Sequence, residues 1–234
     1  LKDMITIVWK DIEAKIDSPG MVKFWGVALF ILFLVFVIAS PGQQRVGNSF
    51  IPKLFLVTGI SEFFIFLLFT IYSTTGNSLV EEEKTIRDLI LGGNFSVGSV
   101  VWGKLISFLL HFLILLVSTL PFNLASINLG INGDMKSFYL IMITVDISLS
   151  CWGFFISTFK EKLFGIILLW AGIAVLLILS ARLPHPWNLI NPLILIVNSR
   201  TDGLFYYLFI GISGLILTCW RATQLRRSKD ERAE

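Results

Sequence analysis

Three ionisable residues stand inside long apolar runs: Glu62, His111 and Asp146. A charged carboxylate at the centre of a bilayer costs about 2.5 to 3.5 kcal/mol on insertion scales, so such groups face a protein interior or a water-filled passage. In a passage they would handle protons, ions or a substrate. In an interior they would be neutral, hydrogen-bonded contacts between helices, and both readings stand at this level. Other chemistry has less to work with. Gly98 to Lys104 fits the opening of a phosphate-binding G-x-x-x-x-G-K loop, but Leu105 stands where Ser or Thr would hold Mg²⁺, and no strand precedes it. Cys151 and Cys219 lie in apolar runs without metal-ligand neighbours and read as small apolar residues. There is no H-E-x-x-H, no G-x-S-x-G and no cluster of acids at catalytic spacing. The chain is therefore read as a non-enzyme with no catalytic, cofactor or metal site of its own.

The elements that must position these residues are set by composition. Of the 234 residues, 55% are hydrophobic and only 15% charged, with a mean hydropathy of +0.81, against roughly 25% charged in an ordinary soluble domain. An integral, all-α membrane protein follows. Six near-uncharged runs approach the roughly 20 residues that span a bilayer: Met21 to Ser40, Leu54 to Tyr72, Val97 to Leu120, Phe138 to Phe159, Leu163 to Leu179 and Leu204 to Trp220. Their apolar character is continuous rather than alternating, which favours helices over a β-barrel. The first run lacks a signal-peptide cleavage site and is read as retained. Residues 1–234 thus form a single membrane domain: an entry segment over 1–18, a six-helix bundle over 21–220 and a tail over 221–234. The 21 phenylalanines read as lipid-facing and packing residues; those of the second and fifth spans could line a cavity between two copies.

Between the second and third runs lies a charged island, Ser78 to Gly93. Ser78 and Glu81 have the S-x-x-E form of a capping box, which starts a helix at Leu79; Gly92 and Gly93 stop it. Glu81, Glu82 and Glu83 sit in the first turns, where the helix dipole favours acids. Glu83/Arg87 and Lys84/Asp88 are spaced to pair. Such a helix is too short and too charged to span. At the chain start, Ile5, Val8, Ile12 and Ile16 recur at helical spacing with Trp9 beside them. Lys2, Asp3, Lys10, Asp11, Glu13 and Lys15 take the other side, so the segment reads as an interfacial amphipathic helix ended by Ser18-Pro19-Gly20. Pro184 to Arg200 holds an apolar run too short to span and reads as re-entrant or interfacial. Of the 19 Lys and Arg, only Arg45, Lys53, Lys136, Arg182 and Arg200 fall on the side away from the termini. By the positive-inside rule both termini and the charged island are cytoplasmic. The net charge of +3 is accounted for by topology and anionic headgroups, with no nucleic-acid partner.

An amphipathic entry helix, six spans, a charged helix after span two and a re-entrant stretch before span six together resemble the ABC type-2 exporter permeases. Locally, Glu82-Glu83-Lys84-Thr85-Ile86-Arg87-Asp88-Leu89-Ile90-Leu91 is similar to the family's E-x-E-K/R-G-T-L-E-x-L-L-x-T-P segment. Val101 to Leu105 is similar to its x-x-G-K-L, Ser118 to Phe122 to its S-L-P, and Asn191-Pro192 to its N-P. Lys84-Thr85 lacks the usual glycine, and Gly92-Gly93-Asn94 replaces Thr-Pro. The resemblance implies that residues 1–18 are a connecting helix. It makes Leu79 to Leu91 a coupling helix on which Glu81, Glu82, Glu83, Ile86, Arg87, Asp88 and Leu89 meet an ATP-binding subunit. It implies two copies of that subunit holding the ATP and Mg²⁺, a second permease chain, identical or homologous, and a bacterial inner membrane whose lipids surround the dimer. It also implies export of a lipid-like, amphipathic or peptide cargo, with Glu62, His111 and Asp146 as candidate pathway residues. Two other classes stay open: a proton-coupled secondary transporter, and a non-transporting membrane subunit of an ATP-driven envelope complex.

Overall fold

The computed structural model describes residues 2–39, 51–75, 85–93, 95–128, 135–159, 162–180, 182, 184, 187–198 and 200–231. Among them all regular structure is helical. In chain order the helices are α1 (Lys2–Ile16), α2 (Pro19–Ala39), α3 (Ile51–Thr75), α4 (Ile86–Gly92), α5 (Val97–Asn128), α6 (Met135–Ile156), α7 (Lys162–Ser180), a 3-10 turn (Trp187–Ile190), α8 (Pro192–Asn198) and α9 (Leu204–Asp230). Five are long and apolar enough to cross a membrane: α2, α3 from Leu56, α5 as far as Ala125, α6 and α9. The run Leu163 to Leu179 forms α7, a helix of 19 residues. Within these apolar helices polar side chains close onto their own backbone. The hydroxyls of Thr58, Ser61, Thr74 and Thr75 each donate to the carbonyl four residues earlier, which removes the cost of an unpaired polar group among apolar atoms.

The core is built from α3, α5 and α6. Phe66 and Phe69 of α3 meet Phe112 and Phe108 of α5 at ring-centroid distances of 4.9 and 5.9 Å, and Phe154 of α6 closes on Phe108 edge-on at 6.2 Å. This aromatic layer fills the middle of the bundle. Phe63, Phe66 and Phe69 of the second span are buried within the chain, whereas Phe64 of the same span is exposed. Small residues let the helices approach. A Cβ on Gly153 of α6 would collide with Thr74 of α3, and one on Gly214 of α9 would lie 2.9 Å from Trp152 of α6. Along that second seam Trp152 Nε1 donates to the carbonyl of Ile210 (3.0 Å) and Thr218 Oγ1 to that of Cys151 (3.2 Å).

Strand-free bundles still have direction. Ser148 meets Tyr207 and Gly211, while Cys151 and Trp152 meet Gly214 and Thr218, so α6 and α9 run parallel. Gly59 with Phe138, Thr70 with Asp146 and Thr74 with Gly153 show that α3 and α6 also run parallel. One end of the bundle gathers α1, α4, the start of α5 and the end of α9. At the opposite end, Asn191 joins α7 to α8: its Nδ2 donates to the Leu177 carbonyl at 2.7 Å, while its Oδ1 accepts from the Leu193 N–H at 3.0 Å.

Several expectations are corrected. The helix of the charged island does not run from Leu79 through Leu91: Thr85 has extended backbone (φ −70°, ψ 166°) and caps a helix that starts at Ile86. The capping box is Thr85/Asp88, reciprocal in its bonds. Ser78, Glu81, Glu82, Glu83 and Lys84 lie outside the described residues. Helix α9 continues past Trp220 to Asp230, because Arg221 to Asp230 contains no breaker and Arg226 pairs with Asp230 one turn on (3.5 Å). Helix α5 continues through Pro121 to Asn128. The polar face assigned to the entry helix is also redrawn: Asp11 and Lys15 are buried.

Candidate functional site

Helix α1 has three faces rather than two. Ile7, Asp11 and Lys15, four residues apart, are buried against the body of the protein, chiefly α5. Ile7 touches the place where Gly103 has no side chain. Ile5, Trp9 and Ile16, exposed by 56, 66 and 60%, form an apolar face turned about a third of a circle away. Lys2, Asp3, Lys10 and Glu13 are exposed on the third, and Asp17, just past the helix, is exposed as well. One face is thus packed on protein, one is apolar and exposed and one is polar and exposed, a division that suits a helix docked sideways at a membrane interface.

The buried face carries an ion cluster. Lys104 Nζ of α5 donates to Asp11 Oδ1, Ser107 Oγ donates to Oδ2 at 2.7 Å, and Lys15 Nζ lies 3.4 Å from Oδ2. Lys15 also donates to Ser73 Oγ of α3 at 3.1 Å. Burial alone would raise the Asp11 carboxyl. Lys15 and Lys104, with the hydrogen bonds from Lys104 and Ser107, outweigh it and hold the group down at about 2. This cluster ties α1, α3 and α5 together at one end of the bundle.

The expected coupling residues divide. Ile86 is buried (1% exposed), whereas Arg87 and Leu89 are half-buried and Asp88 is exposed. Asp88 is occupied in capping: its carboxylate accepts from Thr85 N at 3.2 Å and Thr85 Oγ1 at 2.6 Å. Ile86 and Ile90 seat α4 against α5 and α9. The far end of α4 is held by α9, where Arg226 Nη1 and Lys229 Nζ both donate to the Gly93 carbonyl at 3.3 and 2.9 Å.

Glu62, His111 and Asp146 are all buried but are not brought together. Glu62 accepts from Thr119 Oγ1 and Asn123 Nδ2 of α5, and Asn123 Nδ2 reaches Tyr139 OH of α6 at 2.7 Å. Asp146 lies two turns along the bundle, accepting from Thr70 Oγ1 at 3.0 Å; its Oδ2 is buried and has no hydrogen-bond partner among the described residues. His111 Nδ1 donates to the Ser107 carbonyl of its own helix at 2.9 Å. The Phe66, Phe69, Phe108 and Phe112 rings lie between the Glu62 level and the Asp11 level. Thr119, Asn123, Tyr139 and Thr70 were not singled out by sequence. The available signal was the ridge Ser107, His111, Leu115, Thr119, Asn123, in which four of five successive i+4 positions of an apolar helix are polar. Among the described residues no group of three or more His, Cys, Asp or Glu is placed to hold a metal. Compared with known proteins, the chain matches no family model, no curated protein and no solved structure.

Proposed function

We propose that the chain is the membrane permease subunit of an ATP-driven exporter of the ABC type-2 kind, coupled to a separate ATP-binding subunit through α4. The observation that carries this reading is α4 itself. It is a short, doubly capped helix after the second apolar helix, seated by Ile86 and Ile90 on the bundle and fastened to α9 at Gly93. A stiff element fixed to two membrane helices is suited to transmit a push. Supporting it is α7, which we read as the sixth span. Since α6 and α9 run parallel, the chain between them has to return along the bundle. Its 19 residues give about 28 Å at 1.5 Å per residue, close to a hydrocarbon core of about 30 Å.

Because aromatic rings fill the bundle, the cargo path lies between two permease chains rather than through one. That suits a lipid-like, amphipathic or peptide cargo, and both termini then face the cytoplasm. Helix α1 acts as the connecting helix. The test is a photo-crosslinker at position 91 of α4, with transport and ATP hydrolysis measured in Arg87→Glu. The expected result is a crosslink to an ATP-binding protein and hydrolysis uncoupled from transport. No such crosslink, together with transport that persists when ATP is depleted, would overturn the reading.

A further inference from the structure

Glu62 sits in an environment whose donors and acceptors can be counted. Its carboxylate has about four lone-pair positions when ionised, and two donors reach it: Thr119 Oγ1 and Asn123 Nδ2. Thr119 has a single hydroxyl hydrogen, yet its oxygen also stands 3.1 Å from the Leu116 carbonyl. That one hydrogen cannot make a full bond to both acceptors. If Glu62 carries the proton, the conflict disappears: Glu62 Oε1–H donates to Thr119, and Thr119 donates onward to Leu116. Asn123 keeps its amide hydrogens on Glu62 Oε2 and Tyr139 OH. Its Oδ1, buried without a partner among the described residues, is one half-turn of the amide away from facing the same carboxyl and the same phenol.

Among the described side chains no cation balances an ionised Glu62 from the helices packed on α3, which are α2, α5, α6, α7 and α8. Their ionisable residues are Lys23 at the start of α2, Lys104 and His111 two or more turns from Thr119 on α5, Lys136, Tyr139, Asp146 and, more than three turns beyond Tyr139, Cys151 on α6, and Lys162 at the start of α7; α8 has none. Lys104 is engaged with Asp11, Asp146 with Thr70, and Lys136 is exposed. Of those whose side chains are described, only Tyr139 joins the cluster.

We propose that Glu62, Thr119, Asn123 and Tyr139 form a proton-binding site in which Glu62 is a neutral carboxylic acid donating to Thr119. The site has a readable consequence for α5. When the proton leaves, Thr119 must turn its hydrogen from the Leu116 carbonyl to the carboxylate. This happens within a turn of Pro121, where the helix already lacks one backbone donor. Proton occupancy is thereby linked to the backbone of α5 at its one internal proline among the described residues. The site stands independently of any ATP-binding partner.

The experiment is infrared spectroscopy of the full chain in lipid nanodiscs at neutral pH. The probe is a protonated-carboxyl C=O stretch, with glutamate ¹³C-labelled at the side-chain carboxyl. The expected result is a protonated-carboxyl band that shifts with the glutamate label, disappears in Glu62→Gln and persists in Asp146→Asn. Thr119→Val, which removes the acceptor, should move the band to higher frequency without abolishing it. The label shift is read in the unaltered chain, so the outcome does not depend on a variant folding. A spectrum in which no protonated-carboxyl band responds to the glutamate label overturns the proposal, as does a labelled band unchanged in a folded Glu62→Gln.

Discussion

Asp11 shows how one side chain decides what a helix does. Read along the sequence it belongs with Lys10 and Glu13 on a wet face, yet it is buried between Lys15, Lys104 and Ser107. Its carboxyl is held near 2 against a usual 3.8, so the folded protein favours the ionised form. The sign follows: a depressed carboxyl contributes stability above its unfolded value and loses it as the pH falls toward the folded value. A displacement of that size corresponds to on the order of 2 kcal/mol. Docking of α1, followed by the fluorescence of Trp9, is therefore expected to hold from neutral pH to about 4 and to weaken between about 4 and 2. Asp11→Asn should remove that acid transition and loosen α1 at every pH. A transition centred above pH 5, or one that survives in Asp11→Asn, would count against the cluster as the anchor. The sequence could not place Asp11 because a stripe of Ile7, Asp11 and Lys15 looks amphipathic in the wrong sense. Only Lys104, some 90 residues on, makes the stripe an interior one.

Helix α4 is the element whose boundaries were half legible. Two capping boxes follow one another in the charged island, S-x-x-E at Ser78 and T-x-x-D at Thr85, and the second lies inside the helix that the first would start. The backbone at Thr85 is extended, so the second start is real and the acidic triplet Glu81 to Glu83 falls before it. Glycine marked the other end correctly, with Gly93 accepting two cationic donors from α9. What sequence could not show is that the tail is the continuation of α9 and that it holds α4 in place. Loss of an N-cap hydroxyl costs about 1 kcal/mol. Thr85→Val should therefore speed amide hydrogen exchange in Ile86 to Leu91 by roughly fivefold, the factor that about 1 kcal/mol implies. Arg226→Ala with Lys229→Ala should act on the same amides while leaving those of α3 and α6 unchanged. If exchange rises equally throughout the bundle, α4 is not a separately held unit.

At the scale of the molecule, the apolar runs were legible because a bilayer selects on composition over some 20 residues, a window long enough to average out local ambiguity. The interior was not, because polar residues in apolar helices find partners across helices: Glu62 with Asn123, Asp146 with Thr70. Those pairings depend on which helices are neighbours, and the neighbours follow from direction. The parallel course of α6 and α9, and of α3 and α6, requires the chain between them to come back along the bundle, which on the proposed reading is a crossing by α7 that puts α4 and α8 on opposite sides. This geometry can be read in a membrane. With Cys151 and Cys219 replaced by Ser, single cysteines at Lys10, Asp88 and Arg227 should react with a membrane-impermeant maleimide from one side of sealed vesicles, and one at Val197 from the other. Positions 10, 88 and 227 belong to α1, α4 and the end of α9; α1 and α4 both pack on α5 and α9 holds α4 at Gly93, while exposed Val197 sits on α8. Labelling of 197 from the same side as 227 would mean that α7 does not cross, and a five-span protein would follow. Labelling from opposite sides leaves the return through α7 as the way to reconcile two parallel helices with one continuous chain.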